Sequence, residues 1–166
     1  MRFALAICVV VGCALCGSAL SASARRRAET LAALIEGIKV LRMRMLKLLE
    51  PVAAALSGSG CDILAAVGRA MGPGEAAASA WGKVSQGAGR RGGAIDALDA
   101  ADRRTLDQLF SQLGETGRER QELLLSAVLN TLERSLDQAR TNARSAERLY
   151  LSLGLLVGLM LALIVI

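Results

Sequence analysis

The stretch LAALIEGIKVLRMRMLKLLEPVAAA, residues 31–55, places an apolar residue at alternating steps of three and four. Because an α-helix makes one turn in about 3.6 residues, this spacing draws a single apolar stripe along one helical face. Pro51 interrupts the pattern, since proline has no amide hydrogen and clashes with the preceding turn. We therefore predict a helix over residues 27–50, followed by a short helix with Pro51 in its first turn. The stripe consists of Leu31, Leu34, Ile38, Leu41, Met45, Leu48, Val52 and Ala55.

Further helical segments follow, separated by glycine-rich turns and by a predicted flexible loop at residues 87–93. We expect helices over residues 61–71 and 75–85, the second with Trp81 as a core anchor, and another from residue 94 or 99 to residue 113. From Arg118 to Ile166 there is no proline, so one unbroken helix is predicted there. No alternation of β-branched or aromatic residues indicates a strand. The sequence predicts an all-α fold, a helical bundle. Apolar positions expected to face inward are Leu98, Leu106, Leu109, Phe110, Leu113, Leu125, Val128, Leu132, Leu136, Ala139, Ala143 and Ala146.

Both ends of the chain are apolar. Residues 3–24 and 149–166 contain no charged side chain. As a helix, residues 149–166 would extend about 27 Å, close to the ~30 Å hydrocarbon layer of a bilayer. We therefore predict an N-terminal transmembrane helix in residues 1–24, a central helical bundle domain in residues 25–148, and a C-terminal transmembrane helix in residues 149–166.

Basic residues flank both apolar segments on the side of the central domain. Three arginines at residues 25–27 follow the first segment, and Arg140, Arg144 and Arg148 precede the second. Since basic residues stay on the cytoplasmic side of a membrane, we expect a two-span membrane protein with a cytoplasmic central domain. Two alternatives would export that domain instead. Ala22-Ser23-Ala24 has the small residues of a signal cleavage site, and residues 10–13 (VVGC) resemble a lipid-attachment box.

The sequence offers little for catalysis. It contains no histidine, the commonest general base and metal ligand. Cys61 is the one cysteine of the central segment, which excludes a disulfide or a cysteine zinc site within it. Gly82-Lys83 lacks the other residues of a phosphate-binding loop. We predict no enzymatic activity, cofactor or small-molecule substrate. Carboxylates beside arginines are interpreted as a solvated face: Asp99, Asp102, Glu115 and Glu119.

Two surfaces remain as candidates for interaction. Lys39, Arg42, Arg44 and Lys47 form a basic face of the first helix, a candidate docking face for an acidic partner. The same face would also suit anionic lipid headgroups, or it is an ordinary solvated surface. Nucleic acid is not expected, because aromatics are 2% of the chain and no binding module is present. Gly154 and Gly158 form a small-xxx-small pair, a candidate for close packing between membrane helices.

Several segments carry a family resemblance. In LFSQLGETGRERQELLL, residues 109–125, the residues that match are Gly114, Gly117 and Gln121. The ending AERLYLSLGLLVGLMLALIVI, residues 146–166, steps from charged and aromatic residues into a span rich in leucine and glycine. The proline after the first helix and Trp81 also match. On these features the chain resembles the stage III sporulation protein AB family of endospore-forming bacteria, over nearly its whole length.

The resemblance implies a component of the channel-like, secretion-like complex that joins mother cell and forespore. It implies a cytoplasmic domain similar to the helical domains of type II secretion platform protein F. That domain would form an inner-membrane platform for a cytoplasmic secretion-type ATPase, stage III sporulation protein AA, beside the other stage III sporulation A proteins. The resemblance also implies a place in the mother-cell membrane facing the forespore.

Overall fold

The computed structural model describes residues 2–87, 93–115 and 117–165, with side chains for 22, 23, 25–87, 93–115 and 117–145. The described residues form helices and turns without a strand, which confirms the predicted all-α class. The helices are α1 (Arg2–Leu46), α2 (Val52–Ser57), α3 (Asp62–Ala70), α4 (Ala77–Gly87), a 3₁₀ turn (Ala94–Ala97), α5 (Ala100–Gln112) and α6 (Arg118–Val165).

The chain divides into two units. One unit is Arg27–Asp137, and it contains α2 to α5 together with parts of α1 and α6. The other comprises Met1–Arg26 and Gln138–Ile166, which belong to α1 and α6. The helix predicted to begin at residue 27 therefore begins at Arg2, and the last helix runs unbroken as predicted. The predicted loop at residues 87–93 lies largely outside the described residues.

Within the described part of the chain, no helix has an apolar stretch long enough to cross a bilayer. The predicted spans, residues 1–24 and 149–166, fall on residues whose side chains are mostly outside that description. The same holds for Gly154 and Gly158. Both spans and the glycine pair stay predictions.

The stripe of α1 is the centre of the core of Arg27–Asp137. Leu31, Leu34, Ile38 and Leu41 are fully buried, as the periodicity predicts. On α6 the second predicted stripe is also buried, at Leu125, Val128, Leu132 and Leu136. Helix α3 packs against α2 and α4, and α4 packs against α5. The residues in and next to α5 that we expected to face inward are buried: Leu98, Leu106, Leu109, Phe110 and Leu113.

Helix α1 ends earlier than predicted, and the reason is Pro51. A proline restrains the residue before it from helical geometry, so Glu50 cannot continue the helix. The helix ends at Leu46, and α2 begins at Val52 with Pro51 at its N-cap. The prediction that Leu48 belongs to the buried stripe is wrong, because its side chain is 59% exposed.

Trp81 anchors α4 against α5, as predicted. Its ring is buried and stacks on Phe110 with centroids 4.9 Å apart. The indole Nε1 donates a hydrogen bond of 2.5 Å to the Asp107 carboxylate. A buried indole needs such an acceptor, so this one contact satisfies the polar atom while the ring fills the core.

The turn before α4 is held by Glu75. Its carboxylate accepts hydrogen bonds from Ser79 Oγ (2.6 Å) and from the backbone of Gly72 (3.1 Å) and pairs with Lys83 (2.7 Å). The bonds to Lys83, Ser79 and Gly72 lower the pKa of Glu75 to about 2. The carboxylate is therefore ionised at neutral pH and keeps its role as acceptor.

Asp102 is buried, which corrects its interpretation as part of a solvated face. The guanidinium of Arg27 donates to Asp102 Oδ2 at 2.9 Å and also pairs with Asp99 at 2.8 Å. The same Oδ2 accepts the backbone N–H of Asp99 at 3.2 Å, at the start of α5. One buried carboxylate thus joins α1 to α5 and caps α5.

Helices α1 and α3 approach closely at Gly37. A methyl group placed on Gly37 would lie 2.5 Å from Cys61 Cβ. We expect Gly37→Ala to lower the free energy of unfolding by about 1–3 kcal/mol through this overlap. At a helix position with free space around it, the same change raises the free energy of unfolding by roughly 0.5–1 kcal/mol. The measurement is denaturant unfolding of the purified full-length chain, followed by circular dichroism.

Gly82→Ala is the matched control, since nothing lies within 4 Å of a methyl group there, in the middle of α4. It should stabilise by about 0.5–1 kcal/mol. Equal effects of the two substitutions would contradict the close approach of α1 and α3.

The buried pair gives a second prediction. Arg27→Met leaves the fully buried side chain of Asp102 without its cation and should destabilise the protein by about 3 kcal/mol. Arg42→Met is the control on the same helix, because Arg42 pairs with Glu122 at 2.6 Å where both side chains are exposed. That change should cost less than about 1 kcal/mol. Unfolding free energies that do not differ between the two variants would reject the structural role of Asp102.

Candidate partner-docking surface

The predicted docking residues lie in the last turns of α1 and just beyond its end. Lys39, Arg42 and Arg44 are partly exposed in the helix, and Lys47 is exposed at the start of the following loop. Residues two apart on a helix do not face the same side, so Arg42 pairs with Glu122 of α6 while Arg44 pairs with Glu50 of the loop. A single docking face formed by all four residues stays a prediction.

Three of these cations are paired within the protein. Lys39 Nζ lies 3.0 Å from Glu36 and 3.9 Å from Glu133, and Arg42 lies 2.6 Å from Glu122. Arg44 pairs with Glu50 at 3.1 Å. Since each pair offsets positive charge, the face is less basic than its sequence suggests.

Lys47 differs from the other three. No carboxylate in the described part of the chain pairs with it. It begins the loop that connects α1 to α2, where its backbone N–H donates to Met43 O at 2.9 Å. Lys47 is therefore an unpaired cation at the end of α1.

The loop after α1 is held in a defined shape. The backbone N–H of Leu48 donates to Met43 O at 3.3 Å, and that of Glu50 donates to Arg44 O at 3.2 Å. The Arg44–Glu50 ion pair closes the same loop through side chains. Between these bonds, Leu49 adopts a φ of 56°, in the left-handed region.

The beginning of α6 lies beside this loop. Arg118, its first residue, donates from Nη2 to the backbone oxygen of Leu46. This oxygen lies in the last turn of α1, where carbonyls lack helical partners and favour cations. With the Arg42–Glu122 pair, the contact fixes α1 and α6 antiparallel at this end. We call this region the tip: residues 42–50 and 118–123.

The tip carries the exposed apolar surface of the described chain. Four large apolar side chains are exposed among the described residues, and all four belong to the tip. These four residues are Met43, Leu48, Leu49 and Leu123. Exposed apolar residues that cluster at one place are a common feature of protein interaction sites.

Part of this surface was not identified from the sequence. The periodicity predicts Leu48 as part of the core stripe and predicts no role for Leu49, Leu123 or Arg118. The sequence does hold one signal for the two leucines: they stand directly before Glu50-Pro51, and proline ends the helix before them.

The described residues contain no cluster of three or more metal-ligating side chains. Cys61 is buried against α1 at Gly37, where a substrate has no access. Asp102 is engaged by Arg27 and by the cap of α5. The tip is the candidate functional surface.

The comparisons with known proteins identify one family. Neither the curated proteins nor the solved structures contained a match to the chain. The family model of stage III sporulation protein AB matches residues 2–166, which is nearly the entire sequence. The chain belongs to the stage III sporulation protein AB family.

Proposed function

We propose that this sporulation protein is a non-enzymatic membrane component of the secretion-like complex between mother cell and forespore. In this proposal the helical bundle is a platform for a cytoplasmic secretion-type ATPase, stage III sporulation protein AA, and for the other stage III sporulation A proteins. Family membership supports the link to sporulation. The observation that carries the platform role is the tip, an exposed apolar and basic surface on a bundle without a reactive centre among its described residues.

The membrane location is part of the proposal. It rests on the apolar segments 1–24 and 149–166 and on the arginines beside them, which favour a cytoplasmic bundle over residues 25–148. The proposed site is the mother-cell membrane facing the forespore, with membrane lipids around both spans. Gly154 and Gly158 are proposed to let the last span pack closely against another helix.

The docking face is proposed to comprise Lys39, Arg42, Arg44 and Lys47, with Lys47 as the largest contributor of free charge. The internal ion pairs support this order, since Lys39, Arg42 and Arg44 each have a carboxylate within 3.1 Å. A paired cation adds little to the binding of an acidic partner, whereas an unpaired one contributes its full attraction.

Charge reversal tests the platform proposal. We expect the double variant Arg42→Glu and Lys47→Glu to reduce co-purification of the ATPase by at least about tenfold, because attraction becomes repulsion over a shared surface. The measurement is the amount of ATPase retained by the tagged full-length chain, with helical content followed by circular dichroism.

The matched control is Lys83→Glu, on α4, where the cation pairs with Glu75 instead of facing the tip. That variant should retain the ATPase. Undiminished binding by the double variant would reject the placement of the docking face, and no binding by the wild-type chain would reject the platform function.

Topology is tested separately. We expect a fluorescent reporter inserted beside Gly89 to be active in cells, and alkaline phosphatase at the same place to be inactive, because both flanks carry arginines on the bundle side. The opposite pair of activities would instead support an exported or lipid-anchored protein with an extracytoplasmic bundle. Fusions to residue 2 provide the comparison for expression level.

A further inference from the structure

We infer that the exposed side chain of Leu49 is an apolar anchor that enters a pocket of a partner protein, and that carboxylates border this pocket. The inference rests on the proposed function, because it names the contact by which the tip holds its docking partner. The structure assigns this role through three features of the tip: its backbone, its exposure and its charge.

The backbone of Leu49 is strained. A residue with a side chain costs roughly 1 kcal/mol or more at a φ near 56°, whereas glycine adopts this geometry freely. The other left-handed positions of the described chain are occupied by Gly60, Gly74 and Gly114. Glycine would therefore connect α1 to α2 at lower cost, and the leucine is not explained by the stability of the loop.

The exposure of Leu49 excludes a packing role in this chain. Its side chain is 70% accessible, so it buries little apolar surface within the bundle. Strained residues with no structural benefit are typical of functional positions. The hydrogen bonds of Lys47, Leu48 and Glu50 on both sides hold the loop, so the side chain projects from a fixed base.

The charge around Leu49 indicates the chemistry of the partner. Lys47 has no acidic partner in the described part of the chain, and Arg118 donates to a backbone oxygen instead of a carboxylate. The carboxylate within the loop, Glu50, is paired with Arg44. Over the whole tip, five basic residues stand against three acidic ones, a net charge of +2, which carboxylates at the rim of a pocket would complement.

A protein pocket fits these features better than a lipid surface. A fixed leucine on a rigid loop suits a pocket of matching shape, while a fluid lipid surface imposes no such geometry. Peripheral membrane contacts usually use aromatic side chains and several basic residues. The tryptophan of this chain is buried, and the loop presents one unpaired cation, Lys47.

The test is the affinity of the full-length chain for the ATPase proposed as its partner, measured in detergent and in phosphatidylcholine bilayers with and without phosphatidylglycerol. We expect Leu49→Gly to weaken binding by about tenfold or more, since burial of one leucine contributes at least that factor. The melting temperature should not fall and should rise above that of Leu49→Ala, because glycine relieves the strain. Leu49→Gly and Leu49→Ala should weaken binding by the same factor.

Gln108→Ala is the control, because Gln108 is exposed on α5, outside the tip. It should change the affinity by less than about twofold. Wild-type affinity in Leu49→Gly would overturn this inference and leave the platform function intact, whereas absence of wild-type binding would remove both. An equal loss in Gln108→Ala would also overturn it, as would a Leu49 effect confined to bilayers containing phosphatidylglycerol.

Discussion

Pro51 imposes the constraint on which the arrangement of the bundle depends. Because proline restrains Glu50 from helical geometry, α1 ends at Leu46 while the apolar pattern of the sequence continues. The chain then turns through a five-residue loop, residues 47–51, and starts α2, the first of the short helices that lie between α1 and α6 in the sequence. Without this interruption the stripe would continue in one helix, and neither the loop nor the exposed leucines would exist.

The two ends of the Arg27–Asp137 unit use charge in different ways. Near Arg27, a partly buried guanidinium (18% exposed) and a fully buried carboxylate bond to each other and join α1 to α5. At the tip, ion pairs are exposed and the cations of Lys47 and Arg118 have no acidic partner in the described part. Burial makes the first arrangement structural, since its loss would leave a charge in the core. Exposure leaves the second available for binding.

The proposed role in assembly requires a surface that is held in a defined orientation. The buried apolar residues of the Arg27–Asp137 unit, the close approach of α1 and α3 at Gly37 and the hydrogen bond from Trp81 hold its helices together. These contacts support the base from which the tip projects. The membership in the stage III sporulation protein AB family gives this surface a biological setting in spore formation.

The sequence alone determined the helical class, the stripes of α1 and α6, the anchor role of Trp81 and the family, because helical periodicity and motif order are local properties of the chain. The tertiary structure decided three further points. It buried Asp102, and it placed Arg118 beside Leu46. It also paired Lys39, Arg42 and Arg44 with carboxylates that lie far away in the sequence, Glu133 and Glu122, or beyond the end of α1, Glu50. It also gave Leu49 a left-handed backbone. These features depend on which distant residues meet after folding, and a one-dimensional pattern does not contain that information.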